Sequence, residues 1–250
     1  MPIVSLRPKI TFLSGLGCSG NRIDLMTTYS KTITIGNRTI SLVTFIKQLT
    51  WAMYIAGSLG LSFSASRDLF QFLTPFNLLF TAFLLIYFQP ERSQSFWVFA
   101  ALAAGLGYAM EVLGVATGFP FGDYVYGKTL GIKLFAVPLT IALNWLLLAY
   151  VCGFLANRLK VPNIIKVTLA ALLMVGLDVL IEPVAIRYDF WSWAEGTPPL
   201  SNYLGWFGTA WVIQWGFFLL PFKKDHPIAA HFFIIQATFF TLCLLLAKVI

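Results

Sequence analysis

Seven apolar runs, each near the roughly 20 residues needed to cross a hydrocarbon core, set the terms on which this chain folds. They lie at 42–62, 70–88, 95–116, 132–156, 163–185, 203–221 and 228–248. Within a bilayer every backbone N–H and C=O must be paired inside the protein, which leaves helices or closed barrels. Runs of this length predict helices, and their short connections predict antiparallel neighbours. The expected fold is therefore all-α: a polytopic membrane bundle of about seven transmembrane helices, with a broken or re-entrant segment near 114–131. Composition agrees, with 58% hydrophobic and 11% charged residues and a mean hydropathy of +0.80. A soluble domain carries roughly 45–50% apolar and about 25% charged residues. The expected organisation is a basic N-terminal tail over 1–40, flexible or dispensable, and one transmembrane domain over 41–250.

The net charge of +7 would suggest a nucleic-acid partner in a soluble protein; here it orients the chain. With the N-terminus cytoplasmic, the inside segments hold Arg7, Lys9, Arg22, Lys31, Arg38, Arg92, Arg158, Lys160, Lys223 and Lys224. The outside segments hold Arg67, Lys128, Arg187 and Lys248. That bias predicts a multi-pass protein of a bacterial cytoplasmic or thylakoid membrane. Within the tail, Gly15-Leu16-Gly17-Cys18-Ser19-Gly20 matches a dinucleotide fingerprint formally but lacks the βαβ context that binding requires. Asn37-Arg38-Thr39 is a glycosylation sequon by pattern alone. No secretory signal core is legible in 1–40, and Met26 is a candidate start. The three cysteines include no C-x-x-C spacing, and His226 and His231 stand near one helix start, so neither metal nor cofactor is expected.

The acids are more informative. Only ten exist, and five fall at one level of the predicted bundle. Glu111 stands in the last turns of the third run, and Asp123 in the loop after it. Asp178 and Glu182 stand late in the fifth run, at an i,i+4 spacing that puts both on one helical face. Pro183 then marks a helix end or kink. Asp189 follows, in Asp189-Phe190-Trp191-Ser192-Trp193. Ionisable residues at membrane depth are costly and mark functional sites by default. Glu111, Asp178, Asp123, Glu182 and Asp189 are the candidate catalytic residues. Phe121, Tyr124, Tyr126, Asn144, Trp191, Trp193 and Trp206 are the candidate substrate-binding residues. A carboxylic acid beside an aromatic wall suits chemistry that passes through a carbocation, because aromatic faces stabilise cations by about 0.5–2 kcal/mol each.

Other readings use the same residues. Trp and Tyr at an interface form belts, Asp123 and Asp189 can be solvated or cap helices, and Lys128, Lys133 and Arg187 can neutralise the acids. A transporter or proton relay also uses intramembrane acids, but the sequence shows no inverted repeat with matching broken helices. Diphosphate chemistry would need aspartate-rich clusters that are absent, and a non-catalytic pigment-binding protein would tolerate amides at Glu111 and Asp178.

Together these residues resemble the CruF-type carotenoid biosynthesis family. The resemblance rests on Glu111-x-x-Gly114-x-x-Thr117-Gly118-x-Pro120-Phe121-Gly122-x-Tyr124-x-Tyr126, on Leu130-Gly131-x-Lys133-Leu134 and Val137-Pro138, and on Asn144-Trp145. Asp178-x-x-x-Glu182-Pro183 and Asp189-x-Trp191-x-Trp193 complete it, over roughly 42–245. It implies a hydro-lyase that adds water across the terminal C1–C2 double bond of an acyclic ψ-end carotenoid, with no cofactor. Lycopene or a γ-carotene-like molecule would be the substrate, with membrane lipid, no nucleic acid and other carotenoid-pathway enzymes as neighbours. The alternative within the same chemistry is a proton-initiated lycopene-type cyclase. Cysteines placed at 123 and 189 should label from the same side of the membrane; labelling from opposite sides would separate the two loops and break the constellation.

Overall fold

The computed structural model describes residues 31–35 and 38–249. The Gly15–Gly20 segment, Met26, Asn37 and the basic residues 7, 9 and 22 lie outside the described residues. Among the described residues are seven helices: α1 (Leu42–Ser62), α2 (Ser64–Tyr87), α3 (Gln94–Thr117), α4 (Thr140–Asn157), α5 (Asn163–Arg187), α6 (Leu200–Leu219) and α7 (Ala229–Leu246). Six short strands form three antiparallel pairs: β1 (Thr32–Ile35) with β2 (Arg38–Ser41), β3 (Tyr124–Tyr126) with β6 (Trp191–Trp193), and β4 (Lys133–Leu134) with β5 (Val137–Pro138). Chain contacts divide the protein into residues 1–53 and residues 54–250. The first unit holds the β1–β2 hairpin, in register Thr32↔Ser41 to Ile35↔Arg38, and the start of α1. The second holds everything from Tyr54 onward.

The all-α membrane bundle is borne out. Five helices, α2, α3, α4, α5 and α7, are long and apolar enough to cross a membrane by length and composition. In the second unit α4 packs against α2, α3, α5, α6 and α7 and is buried on nearly every side. Its sequence, apolar all round its circumference, requires that central place. The outer helices instead show large side chains to their surroundings, Phe72, Phe76 and Phe83 of α2 among them. Lipid tails are as apolar as these rings, so helix association rests on close packing at small residues. Gly107 of α3 meets the Trp145 side chain of α4 where a Cβ would collide.

The element bounds differ from expectation in detail. The fourth apolar run does not begin a helix at 132: residues 133–138 form the β4–β5 hairpin, and α4 starts at Thr140. The turn residues Phe135 and Ala136 both take positive φ, 49° and 64°, a conformation usually given to Asn-Gly. Helix α3 runs through Gly114 and ends at Gly118, whose φ of 74° closes the helix in the left-handed region. Of the two expectations for Pro183, a helix end or a kink, the helix end does not hold: α5 continues to Arg187 with the proline inside it.

At the end of the bundle remote from β3 and β6, aromatic rings seal the helix connections. Phe99, Tyr150, Phe217 and Phe222 stack edge and face on one another, and the Tyr150 hydroxyl donates to Gln89 Oε1 at 2.5 Å. His226 sits against Tyr150 with ring centroids 5.3 Å apart. Its Nε2 donates to the Leu85 carbonyl at 2.9 Å, and its Nδ1 accepts from the Ile228 N–H at 3.3 Å. Burial holds this imidazole neutral and pushes its pKa down to about 4, against a smaller opposing effect of the Leu85 bond. A depressed folded-state value means that the unfolded chain binds the extra proton first as pH falls. Stability attributable to His226 should therefore be complete above pH 6.5 and decline toward pH 4 by up to about 3 kcal/mol. Thermal unfolding of detergent-solubilised wild type and His226→Gln across that window checks this: the variant should lose that part of the slope, and an unchanged slope would contradict it.

Candidate active site

The site begins with Glu111, buried one and a half turns before the end of α3. A carboxylate at this depth needs hydrogen-bond donors. Gly107 and Gly114 flank it on the same helical face, four residues before and three after. At Gly107 the missing side chain admits the Trp145 indole, and at Gly114 it admits Phe121 and the Tyr124 hydroxyl. Trp145 Nε1 donates to Glu111 Oε1 at 3.1 Å. The Tyr124 and Tyr126 hydroxyls both donate to Oε2, at 2.6 and 2.8 Å.

Glu182 on α5 has the same kind of setting. Trp191 and Trp193 Nε1 donate to its Oε2 at 3.0 and 2.8 Å. Asn202 Nδ2, near the start of α6, donates to its Oε1 at 3.1 Å. Both carboxylates thus receive two donors on one oxygen from an aromatic-x-aromatic strand and one donor on the other oxygen from a helix. The strands supplying them are paired: Tyr124 lies opposite Trp193 and Tyr126 opposite Trp191. Side chains alternate across a strand, so all four rings share the buried face while Val125 and Ser192 point away. Burial foremost, and then the nearby Glu111 carboxylate, raise the pKa of both tyrosines well above the usual range. They remain neutral phenols and therefore donors.

Asp178 lies one turn before Glu182 and is fully buried. Its Oδ2 accepts from the same Asn202 amide at 3.1 Å, and its Oδ1 has no partner among the described residues. No lysine or arginine bonds Glu111, Asp178 or Glu182 among the described residues. Lys133 Nζ donates instead to the Tyr126 carbonyl at 2.5 Å, Arg187 lies 6.0 Å from the Tyr188 ring, and Lys128 is exposed.

Glu111, Glu182, both tyrosines, Trp145, Trp191, Trp193 and Asn202 line one cavity of about 20 Å³, with Ile141, Asn144 and Trp206 closing it. Trp206 stacks on Trp145, centroids 4.2 Å apart and planes 20° from parallel. The space holds about one water, and the site offers the several polar partners a buried water needs. Of the residues expected from sequence, Glu111, Glu182, Tyr124, Tyr126, Asn144, Trp191, Trp193 and Trp206 meet here, and Asp178 lies behind Glu182. Phe121 is buried as a wedge between Gly114 and Gly205 and does not line the cavity. Asp123 and Asp189 are exposed and outside it; Asp189 Oδ2 accepts from the Lys128 N–H at 3.2 Å, tying two loops together. Sequence reasoning assigned no role to Trp145 or Asn202. The Asn144-Trp145 pair and the glycines at 107 and 114 around Glu111 were the available signals for the first; nothing marked the second. Among the described residues no three His, Cys, Asp or Glu are grouped to hold a metal ion.

A family model described as "Carotenoid biosynthesis protein" matches residues 72–250, which contain every residue of this cavity. Bisanhydrobacterioruberin hydratase of Haloarcula japonica is 32% identical over 111 residues, covering 40% of this chain and 36% of that relative's length. No solved structure matches. With most of its length matched by that model, and with paired buried carboxylates inside the matched region, the chain belongs to the carotenoid biosynthesis protein family.

Proposed function

We propose that this protein is a carotenoid 1,2-hydratase, adding water across the terminal C1–C2 double bond of an acyclic ψ-end such as that of lycopene or a γ-carotene-like molecule. The observation that carries this reading is the pair of donor-saturated carboxyls, Glu111 and Glu182, on a cavity the size of one water. Both line the same small cavity, and no lysine or arginine bonds either of them among the described residues, so in this reading one serves as the acid and the other as the base. The protonated member gives its proton to C2, the π electrons forming the new C–H bond, and a tertiary cation remains at C1. The stacked indoles of Trp145 and Trp206 and the rings of Tyr124 and Trp193 shield that cation. The cavity water attacks C1, and its released proton passes to the second carboxyl, so the pair ends with the proton count it began with. Asp178 accepts from the same Asn202 amide that serves Glu182 and so helps to hold that donor in place. The relative's name as a hydratase supports the same outcome.

In this reading the chemistry belongs wholly to residues 41–250. The N-terminus is cytoplasmic, the carboxyl pair lies near the outer face of a bacterial cytoplasmic or thylakoid membrane, and the polyene reaches it from the bilayer, beside other pathway enzymes. Asp123 and Asp189 act through loop structure rather than on substrate.

Expression in a lycopene-accumulating host, with mass analysis of the pigments, tests this. The expected product gains one or two waters with its chromophore unchanged. An isomer of equal mass with a shorter-wavelength spectrum would indicate cyclisation instead. Glu111→Gln and Glu182→Gln should each lower product formation by about 10²-fold or more while the protein still elutes as a folded species, and Asp123→Asn should retain activity. Tyr124→Phe removes one donor to a charged group, about 1.5–3 kcal/mol, and should cost roughly ten- to a hundredfold. Full activity in both glutamine variants would remove the acid–base role.

A further inference from the structure

The cavity between Glu111 and Glu182 holds a water and leaves no room for an isoprenoid chain, so any substrate body must lie elsewhere. A much larger groove, about 760 Å³, runs along α2, within the range of about 300–1,000 Å³ typical of ligand sites. Its α2 wall is built from Asp68, Gln71, Phe72, Pro75, Phe76 and Leu79. These recur every three or four residues and so form one face about 16 Å long. The opposite wall is the loop Lys128–Ile132 and the first turn of α4, at Leu139, Thr140 and Leu143.

Two features suit this groove to a long hydrocarbon. Its neutral polar side chains are already committed: Gln71 Nε2 and Thr129 Oγ1 both donate to the Tyr188 carbonyl, at 2.8 and 2.9 Å, and Thr140 Oγ1 donates to the Leu130 carbonyl at 2.8 Å. An apolar chain can therefore lie there without orphaning a donor. Its charges, Asp68 and Lys128, are confined to the N-terminal part of α2 and the facing loop, leaving Phe76, Leu79 and Leu143 as hydrocarbon. The groove and the cavity are lined by neighbouring residues of the same segments. The first turn of α4 shows Thr140 and Leu143 to the groove and Ile141 and Asn144 to the cavity, while the loop that shows Lys128 and Thr129 to the groove follows directly from Tyr126 of the cavity.

We propose that this groove binds the conjugated polyene body of the substrate, with its ψ-end directed past the first turn of α4 toward Glu111 and Glu182. The proposal rests on the hydratase reading and adds the place where the chain outside the reacting end is held.

The test uses the full protein in lipid nanodiscs, with lycopene as probe and its absorbance after gel filtration as the measure of binding. Leu79→Trp and Leu143→Trp fill the groove and should weaken lycopene retention by about tenfold or more, with KM rising more than kcat falls. Leu172→Trp, in a separate apolar hollow between α5 and α7, serves as the control and should retain lycopene like wild type. Glu111→Gln should retain lycopene normally and not hydrate it. Unchanged lycopene binding in both groove variants would overturn the proposal, as would loss of co-purifying phospholipid from them with lycopene binding unmoved. Hydration by Glu111→Gln, or a wild type that binds lycopene without hydrating it, would count against the function and leave the groove standing.

Discussion

Two carboxylates buried in a helical bundle without a cation can persist only if neutral donors reach them, and most of the functional end of this protein follows from that need. The β3–β6 pair supplies four of the six donors. Antiparallel pairing fixes the register, alternation places Tyr124, Tyr126, Trp191 and Trp193 on one face, and the spacing of the rings lets two serve Glu111 and two serve Glu182. A one-residue slip of either strand would present Val125 or Ser192 instead and strip one carboxylate of its partners.

The supporting structure reads as a means of holding that pair of strands still. Gly107 and Gly114 let aromatic side chains lie against α3. The Tyr188 carbonyl accepts from Gln71 and Thr129, fixing the approach to β6 from α2 and from the loop after β3. Asp189, with a φ of 56°, binds the Lys128 N–H and shapes the same junction. Asp123 and Asp189 therefore differ from the acids inside the helices. An exposed loop carboxylate pays little desolvation and can serve backbone geometry, whereas Glu111, Asp178 and Glu182 are held at a cost that chemistry would justify. The local unit occurs twice: a helix bearing a glutamate, then a short strand of aromatic-x-aromatic form. The two copies meet through their strands, so a single water-sized space is bounded by both carboxyls.

The helices, the membrane class and the three buried acids were legible in the sequence because each rests on a one-dimensional signal. Apolar runs of about 20 residues have few alternatives to a spanning helix, and a charge within such a run is conspicuous wherever the run ends up. The apolar run from Ile132 was misleading for the same reason. Hydropathy does not distinguish a helix from an apolar hairpin, and the turn at Phe135-Ala136 carries neither the glycine nor the asparagine that would reveal it.

Only the tertiary structure decided what the aromatics and polar partners do. In one dimension Tyr-x-Tyr and Trp-x-Trp are compatible with an interfacial belt. Their polar atoms become carboxylate donors because residues 124–126 and 191–193, far apart in sequence, pair in one register. Trp145 and Asn202 join them from helices whose positions depend on glycine contacts between neighbours, and a donor that serves an acid dozens of residues away leaves no local pattern. The sequence by itself determined which groups would be buried and expensive; the fold determined how each is satisfied, because hydrogen-bond partners are chosen by distance in space and not along the chain.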